Sequence, residues 1–231
     1  MPSRKKVSKR SGLYFRGTRP LATLSRLPVE YFRTSGTGQC DYGSIETCSW
    51  DAALREAKIS DANMMYYSSL VPKEAVEISR AQGRKNLRWG NVLESILAVT
   101  HAKKGQRCTS ALMLSKIYAP NGEYLGIFAD EYTSTKGDLE DGKQNLLESV
   151  TGMMERRGYG HPGKTSLKAI KNEGPYLVDV RAIIETSKGY RYQIHAYFGE
   201  SFKVTKKFGS ALAGICFTKF LFPVLKETKI N

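Results

Sequence analysis

The chain has 231 residues, and its 36 lysines and arginines outnumber its 22 acidic residues to give a formal net charge of +14. This length suits one large domain or two small ones, and a hydrophobic fraction of 41% is enough to form a core. Since no run approaches about eighteen consecutive apolar residues, the sequence argues against a membrane-spanning helix.

The cysteines and histidines lack the spacing of a metal site. The chain contains no Cys-x-x-Cys pair, and no apolar leader segment lies near its start. We therefore expect a cytoplasmic protein with reduced thiols, no bound metal and no membrane association. The residues concerned are Cys40, Cys48, Cys108, Cys216, His101, His161 and His195.

The basic charge is concentrated at the start of the chain. Residues 1–26 carry eight lysines and arginines and no acidic residue. A block of like charges repels itself, so we expect a disordered, solvated tail. Such a tail could bind nucleic acid or an anionic membrane, and its composition also fits a transit peptide. Residues 27–231 are expected to form a single domain.

A strand, a turn and a helix are predicted at the beginning of this domain. The strand covers residues 30–34, and Gly36-Thr37-Gly38 predicts a turn because glycine tolerates positive φ angles. A helix follows, capped by Thr47 or Ser49 and running to about Lys58.

Hydrophobic spacing defines the buried face of this helix and the elements after it. The apolar face consists of Trp50, Ala53, Leu54 and Ala57. Asp51 lies next to that face in the first turn, where a carboxylate suits the helix dipole. Strands are predicted at residues 63–71, 92–100, 108–117 and 124–132, with a turn at residues 120–122 before the last of them.

Residues 138–157 give the clearest helical pattern. Its apolar side consists of Leu139, Leu146, Leu147, Val150 and Met154. A hairpin is predicted from strands at 178–186 and 190–198 around Lys188-Gly189, and residues 202–217 complete the core. Together these elements predict an α+β domain, with antiparallel or mixed strands covered by at least two helices.

One set of residues, densest between positions 34 and 72, points to a specific chemistry. It consists of Thr34-Ser35-Gly36-x-Gly38, Asp51-x-x-Leu54, Asn63, Ser68-Ser69 and Pro72, followed later by the segment 126–132 and by Phe202 to Ala213. This set resembles the pattern of the pyruvoyl-dependent arginine decarboxylases, and the resemblance extends from about Leu27 to Phe217. Cys48, Lys58 and Lys73 depart from the pattern, and residues 158–189 are longer than expected.

The resemblance implies a four-layer αββα sandwich and a cofactor that the chain makes from itself. The hydroxyl of Ser69 would attack the carbonyl of Ser68, and elimination would then separate fragments 1–68 and 69–231. A pyruvoyl group would remain at position 69, where it would supply the electron sink that decarboxylation requires. Neither a metal nor pyridoxal phosphate is expected.

The resemblance also implies the substrate, the assembly and the roles of four further residues. The reaction would convert L-arginine to agmatine and CO2 in a homotrimer with sites at the protomer interfaces. Asp51 would bind the guanidinium group, and Leu54 would pack on the aliphatic stem of the substrate. Asn63 would hold the substrate and assist self-cleavage, while Glu131 would protonate the product carbanion.

Residue chemistry is compatible with these roles, although each has an ordinary alternative. A carboxylate can accept two hydrogen bonds from a guanidinium group, and the charge of Asp130 can raise the pKa of Glu131. Most surface carboxylates, however, do no chemistry, and serines are common at strand ends. The chain could instead be a catalytically silent relative that binds anions or nucleic acid through its basic tail. A pyruvoyl decarboxylase for another cationic amino acid is the third alternative.

Overall fold

The protein is built mainly from two β-sheets. The computed structural model describes residues 26–163 and 183–221. In chain order the elements are β1 (Leu27–Cys40), α1 (Thr47–Ala57), β2 (Asn63–Tyr66), β3 (Leu70–Pro72), β4 (Val76–Glu77), α2 (Arg80–Lys85), β5 (Val92–Lys103), β6 (Arg107–Tyr118), β7 (Tyr124–Ser134), α3 (Leu139–Arg156), β8 (Ile183–Glu185), β9 (Arg191–Lys203) and β10 (Phe208–Leu221). The predicted α+β class is confirmed.

Each sheet has five strands. The first sheet has the order β2-β5-β10-β1-β4, and the second has the order β3-β7-β6-β9-β8. The long strands pair antiparallel, whereas the short edge strands β2 and β4 run parallel to β5 and β1. Because β2 and β3 follow each other in the chain but belong to different sheets, the segment between them crosses from one sheet to the other.

Three of the four buried apolar clusters among the described residues join the sheets and helices to one another. The cluster between the two sheets includes Ile96, Leu114, Ile127 and Ile215. A second cluster lies between α3 and the outer face of the second sheet. A third lies between α1 and the outer face of the first sheet. Burial of these apolar faces is the main favourable contribution to folding.

The predicted turn at Gly36-Thr37-Gly38 is wrong, because β1 continues through these residues to Cys40. The glycines serve close packing instead. A Cβ atom at Gly36 would lie 2.7 Å from the backbone nitrogen of Ala57, so α1 can approach β1 only where side chains are missing. Glycine signals both turns and close approaches, and the sequence alone does not separate the two.

The predicted caps of the first helix are also wrong. Glu46 is the N-cap of α1, and Thr47 is already helical. Ser49 uses its hydroxyl to donate to the Glu46 carbonyl (2.8 Å) and contacts the hydroxyl of Ser210. Asp51 therefore lies beyond the first turn. Lys58 ends the helix at a φ of 65°, a conformation that favours glycine.

Two further segments differ from the predictions. The strand predicted at residues 63–71 is divided into β2 and β3, which lie in different sheets. Residues 202–217 are likewise divided, since Lys203 ends β9 and Phe208 begins β10. The long helix is confirmed as α3, with Asp138 as its N-cap. The β8–β9 hairpin is confirmed as well, although residues 178–182 of its predicted first strand lie outside the described residues.

We expect Gly36→Ala to lower the free energy of unfolding by about 1–3 kcal/mol, because the added methyl group meets helix backbone that cannot move aside. Gly152→Ala in α3 is the matched control. Its methyl group would meet only the flexible end of Arg156 at 3.3 Å, so this change should be neutral or stabilising. Urea unfolding of both variants measures the difference, and equal destabilisation would contradict the close-packing role of Gly36.

Candidate active site

Ser68 and Ser69 lie in residues 67–69, the inter-sheet link that connects β2 to β3. On one side of the link, the backbone N–H of Tyr67 donates to the carbonyl of Ser95 in the first sheet (2.7 Å). On the other side, the carbonyl of Ser69 accepts from the N–H of Ala129 in the second sheet (2.7 Å). The peptide bond between the two serines is therefore held between two sheets.

The link is fixed but still accessible. Ser68 is exposed and Ser69 is partly exposed in the protomer. A nucleophilic attack within this peptide needs a defined geometry, and a later hydrolysis needs water. The serine pair is held at both ends by backbone hydrogen bonds and is open to solvent.

Glu131 lies on the face of β7 that is turned toward this link. Ile127 and Ala129 point into the cluster between the sheets, and side chains alternate along a strand. Glu131 therefore points to the same side, roughly 7 Å along the strand from the residue that bonds Ser69. Burial raises the pKa of Tyr66 at the end of β2, and the charge of Glu131 raises it further.

The carboxyl group of Glu131 has a raised pKa. Its side chain reaches solvent, but the surrounding protein removes enough water to disfavour the charged form, and the charge of Asp130 adds to this effect. The effect of Asp130 agrees with the expectation from the sequence, whereas burial, the larger cause, was not part of it. A raised pKa means that Glu131 keeps its proton to a higher pH than an ordinary glutamate does.

Asp130 points away from the link. It shares a face of β7 with Phe128 and Tyr132, which pack in the α3 cluster. One of its carboxylate oxygens accepts from the N–H of Glu131 (3.0 Å), while the other is buried without a hydrogen-bond partner among the described residues. Asp130 is therefore poorly placed to act on Ser69.

Asp51 is exposed on α1, far from the link in the same protomer. The beginning of α1 is attached to the far end of the first sheet, where Ser210 contacts both Ser49 and the Nδ1 atom of His101 at 2.8 Å. The link contacts the same sheet at Ser95. His101 is six positions after Ser95 along β5, which places Asp51 on the order of 20 Å from Ser69.

Leu54 and Asn63 are also separated from Ser69. Leu54 is buried between α1 and the first sheet, with only 9% of its surface exposed. Asn63 is exposed at the start of β2, where its amide donates to the carbonyl of Gly90 (3.2 Å). Along an extended strand this is roughly 13 Å from Tyr67. One protomer thus brings together Ser68, Ser69 and Glu131 only.

A buried polar group that was not predicted from the sequence lies beside the link. Glu94 is only 3% exposed, and its two carboxylate oxygens contact the hydroxyl of Tyr67 and the guanidinium of Arg26. An acidic residue within the apolar run of β5 was the available signal, since charged residues are rarely buried unless they are paired.

A cavity of about 430 Å³ opens beside β3 and the end of α3. Tyr67, Leu70, Phe128 and Arg157 contribute to its wall, and the Arg157 guanidinium lies 5.8 Å from the centre of the Phe128 ring. None of the described residues that line it is acidic. The cavity therefore offers apolar space near Ser69 but no partner for a cationic group.

The described residues contain neither a cluster of metal ligands nor a membrane-spanning helix. No three His, Cys, Asp or Glu side chains among residues 26–163 and 183–221 are grouped as metal ligands. No helix in this part of the chain has the length and hydrophobicity needed to cross a membrane. The thiols of Cys40, Cys48, Cys108 and Cys216 are free.

Comparison with known proteins agrees with the sequence pattern. Residues 30–222 match the family model for pyruvoyl-dependent arginine decarboxylase. The chain is 28% identical over 205 residues to pyruvoyl-dependent arginine decarboxylase AaxB of Chlamydia trachomatis, covering 85% of this chain and 93% of the relative. The corresponding protein of Chlamydia muridarum gives the same identity and coverage. Pyruvoyl-dependent arginine decarboxylase of Thermoplasma volcanium is 35% identical over 85 residues, covering 37% of this chain and 45% of the relative.

Proposed function

The chain belongs to the pyruvoyl-dependent arginine decarboxylase family, and we propose that it converts L-arginine to agmatine and CO2 after cutting its own backbone between Ser68 and Ser69. The inter-sheet link is the observation that carries this proposal. It holds the Ser68-Ser69 peptide between two backbone hydrogen bonds, leaves it accessible, and lies beside a carboxyl group with a raised pKa.

The residues present fit a pyruvoyl group at position 69. The carbonyl of Ser69 is already fixed by Ala129, and the side chain is partly open, so a planar carbonyl group at this position needs no rearrangement of the sheet. When bound, such a group supplies an electron sink for the electrons left at the substrate Cα after CO2 departs.

Self-cleavage proceeds in three steps, and Ser69 takes part in each of them. Its hydroxyl oxygen attacks the carbonyl carbon of Ser68, and the peptide C–N bond breaks as the nitrogen takes a proton. Loss of the Ser69 Cα proton then expels residues 1–68 as a carboxylate. Water finally replaces the remaining nitrogen at position 69, and ammonia leaves.

Glu131 is proposed as the acid that returns a proton to the substrate Cα. Its raised pKa favours the protonated form, and it faces the side of the link where the substrate must bind. As the pH rises through this raised pKa, the acid form is lost and turnover should fall.

Asp51 is proposed to bind the substrate guanidinium across a protomer interface. A carboxylate and a guanidinium form two parallel hydrogen bonds, which favours arginine over lysine. Because Asp51 lies on the order of 20 Å from Ser69 in one protomer, a second copy must supply it. We propose a homotrimer in which each site combines Ser69 and Glu131 of one protomer with Asp51 and Leu54 of its partner.

Asn63 and the sheet arrangement complete the proposal. Asn63 lies on the exposed edge strand β2, where a second protomer can approach it, and we propose that it contacts the substrate and supports self-cleavage. The two sheets, with α1 packed on one and α3 on the other, support the four-layer αββα sandwich expected for the family. We further propose a cytoplasmic location.

The net charge of +14 favours one alternative, a silent relative that binds anions or nucleic acid. The basic tail that would carry such binding lies almost entirely outside the described residues. Retention of Asp51, Asn63, Ser69 and Glu131 opposes this alternative, because a protein without catalysis has no need for this combination.

We expect Ser69→Ala to remain a single 231-residue chain, whereas the natural sequence separates into fragments of 68 and 163 residues. The substitution removes the attacking hydroxyl and leaves the backbone hydrogen bonds in place. Denaturing gel electrophoresis measures the result, with Ser44→Ala, an exposed serine outside the link, as the control. Cleavage of the Ser69→Ala chain at the same position would exclude the proposed chemistry.

We expect Glu131→Gln to cleave normally but to release CO2 from arginine about 10²–10⁴-fold more slowly, the usual contribution of a general acid. Glu148→Gln is the control, since Glu148 is an exposed carboxylate on α3 and does not contribute to the pKa of Glu131. Both assays are run on one preparation. Unchanged turnover would place the acid elsewhere, and a failure to cleave would show that Glu131 also acts in maturation.

We expect Asp51→Asn to raise the KM for arginine by about tenfold or more while self-cleavage is unchanged, because the amide cannot replace the charged pair. Steady-state CO2 release measures this effect. An unchanged KM would remove Asp51 from the site.

A mixture of variants tests the interface. Asp51→Asn and Glu131→Gln chains are synthesised together so that mixed trimers form. About a quarter of the interfaces then combine an intact Asp51 with an intact Glu131 from the other chain, and activity returns. Without recovery, both residues would act within one protomer, contrary to the proposal.

A further inference from the structure

Glu94 is the most deeply buried carboxylate near the inter-sheet link, and both of its oxygens have partners. Oε2 accepts from the hydroxyl of Tyr67, and Oε1 pairs with a guanidinium nitrogen of Arg26. Only 4% of the Glu94 side chain is exposed, compared with 41% of Arg26. Since burying a charge is costly unless it is paired, this arrangement depends on both contacts.

Tyr67 is the residue through which Glu94 reaches the cleavage site. Its backbone is bonded to Ser95, and its ring packs against Phe217 in the inter-sheet cluster with 5.5 Å between the ring centres. The contact with Glu94 fixes the hydroxyl end as well. The residue immediately before Ser68 is thus held at its backbone, its ring and its hydroxyl.

Arg26 connects the start of β1 to the same group. Its guanidinium lies 5.1 Å from the centre of the Phe220 ring at the end of β10, in addition to its pairing with Glu94. Arg26 is the last residue of the predicted tail, yet its contacts lie within the folded part of the chain. It keeps the buried carboxylate of Glu94 paired.

We propose that Glu94 is a positioning residue for self-cleavage, which acts through Tyr67 and depends on Arg26. This inference rests on the proposed function. With the carbonyl of Ser69 bonded to Ala129, only Ser68 lies between the two anchored positions. Release of the Tyr67 side chain would let the Ser68 carbonyl turn away from the attacking hydroxyl, and small losses of alignment strongly reduce the rates of such intramolecular reactions.

The test follows self-cleavage in time after cell-free synthesis of the full chain. Tyr67→Phe retains the ring in the core and removes only the hydroxyl, and we expect it to slow cleavage by about tenfold or more. Arg26→Met should slow cleavage as well, whereas Arg26→Lys, which retains a cation, should restore much of the rate. Glu77→Gln is the control, because Glu77 is a partly buried carboxylate that, like Glu94, is paired with an arginine, in this case Arg33 (2.6 Å). This variant should cleave at the normal rate.

A double variant separates positioning from general stabilisation. If Glu94 acts through Tyr67, Glu94→Gln combined with Tyr67→Phe should cleave no more slowly than the slower single variant. Thermal unfolding of the same proteins shows whether Tyr67→Phe and Glu77→Gln are equally stable. Independent, multiplying effects, or equal slowing by Glu77→Gln, would overturn the positioning role.

Cleavage of the natural chain and of Tyr67→Phe shows separately whether the proposed function or only this inference fails. If the natural chain remains intact, the proposed function fails and the inference fails with it. If the natural chain cleaves and Tyr67→Phe cleaves at the same rate, only the inference fails.

Discussion

The chain crosses from one sheet to the other within three residues, and the remainder of the site depends on this crossing. Two backbone hydrogen bonds, one from Tyr67 to Ser95 and one from Ala129 to Ser69, attach the ends of the crossing to different sheets. The distance between these anchors is set by the apolar cluster that packs the sheets together. Because packed interiors deform little, the core fixes the geometry of the serine pair.

The same architecture separates Asp51 from the serine pair within one protomer. The link lies at the sheet edges formed by β2 and β3, whereas Asp51 lies on α1 at the far end of the first sheet. A carboxylate at this distance cannot reach a substrate bound at Ser69. In the proposed homotrimer, contact between different surfaces of successive protomers would bring the two regions together, and a closed ring would satisfy every such contact. Under this proposal activity depends on assembly, while self-cleavage uses groups of one protomer.

Some of this organisation could be read from the sequence. Apolar patterns predicted β5, β6, β7 and α3, because the side chains that face a core recur at the period of the element. The Ser68-Ser69 pattern predicted a cleavage site, and this stays a prediction. The division of residues 63–71 into two strands was not predictable, since no glycine or proline interrupts the run before Pro72. The pairing of Glu94 with Tyr67 and Arg26 joins residues 27 and 68 positions apart, and local patterns carry no information about such contacts.

The central claim is that residue 69 becomes a pyruvoyl group by self-cleavage, and the mass of the purified protein after denaturation tests it most directly. The account predicts two chains. The chain that begins at position 69 should be lighter, by one ammonia molecule, than the same chain with an intact N-terminal serine, and it should resist sequencing from its N-terminus. A single chain of 231 residues, or a fragment with a free serine amine at position 69, would contradict the account.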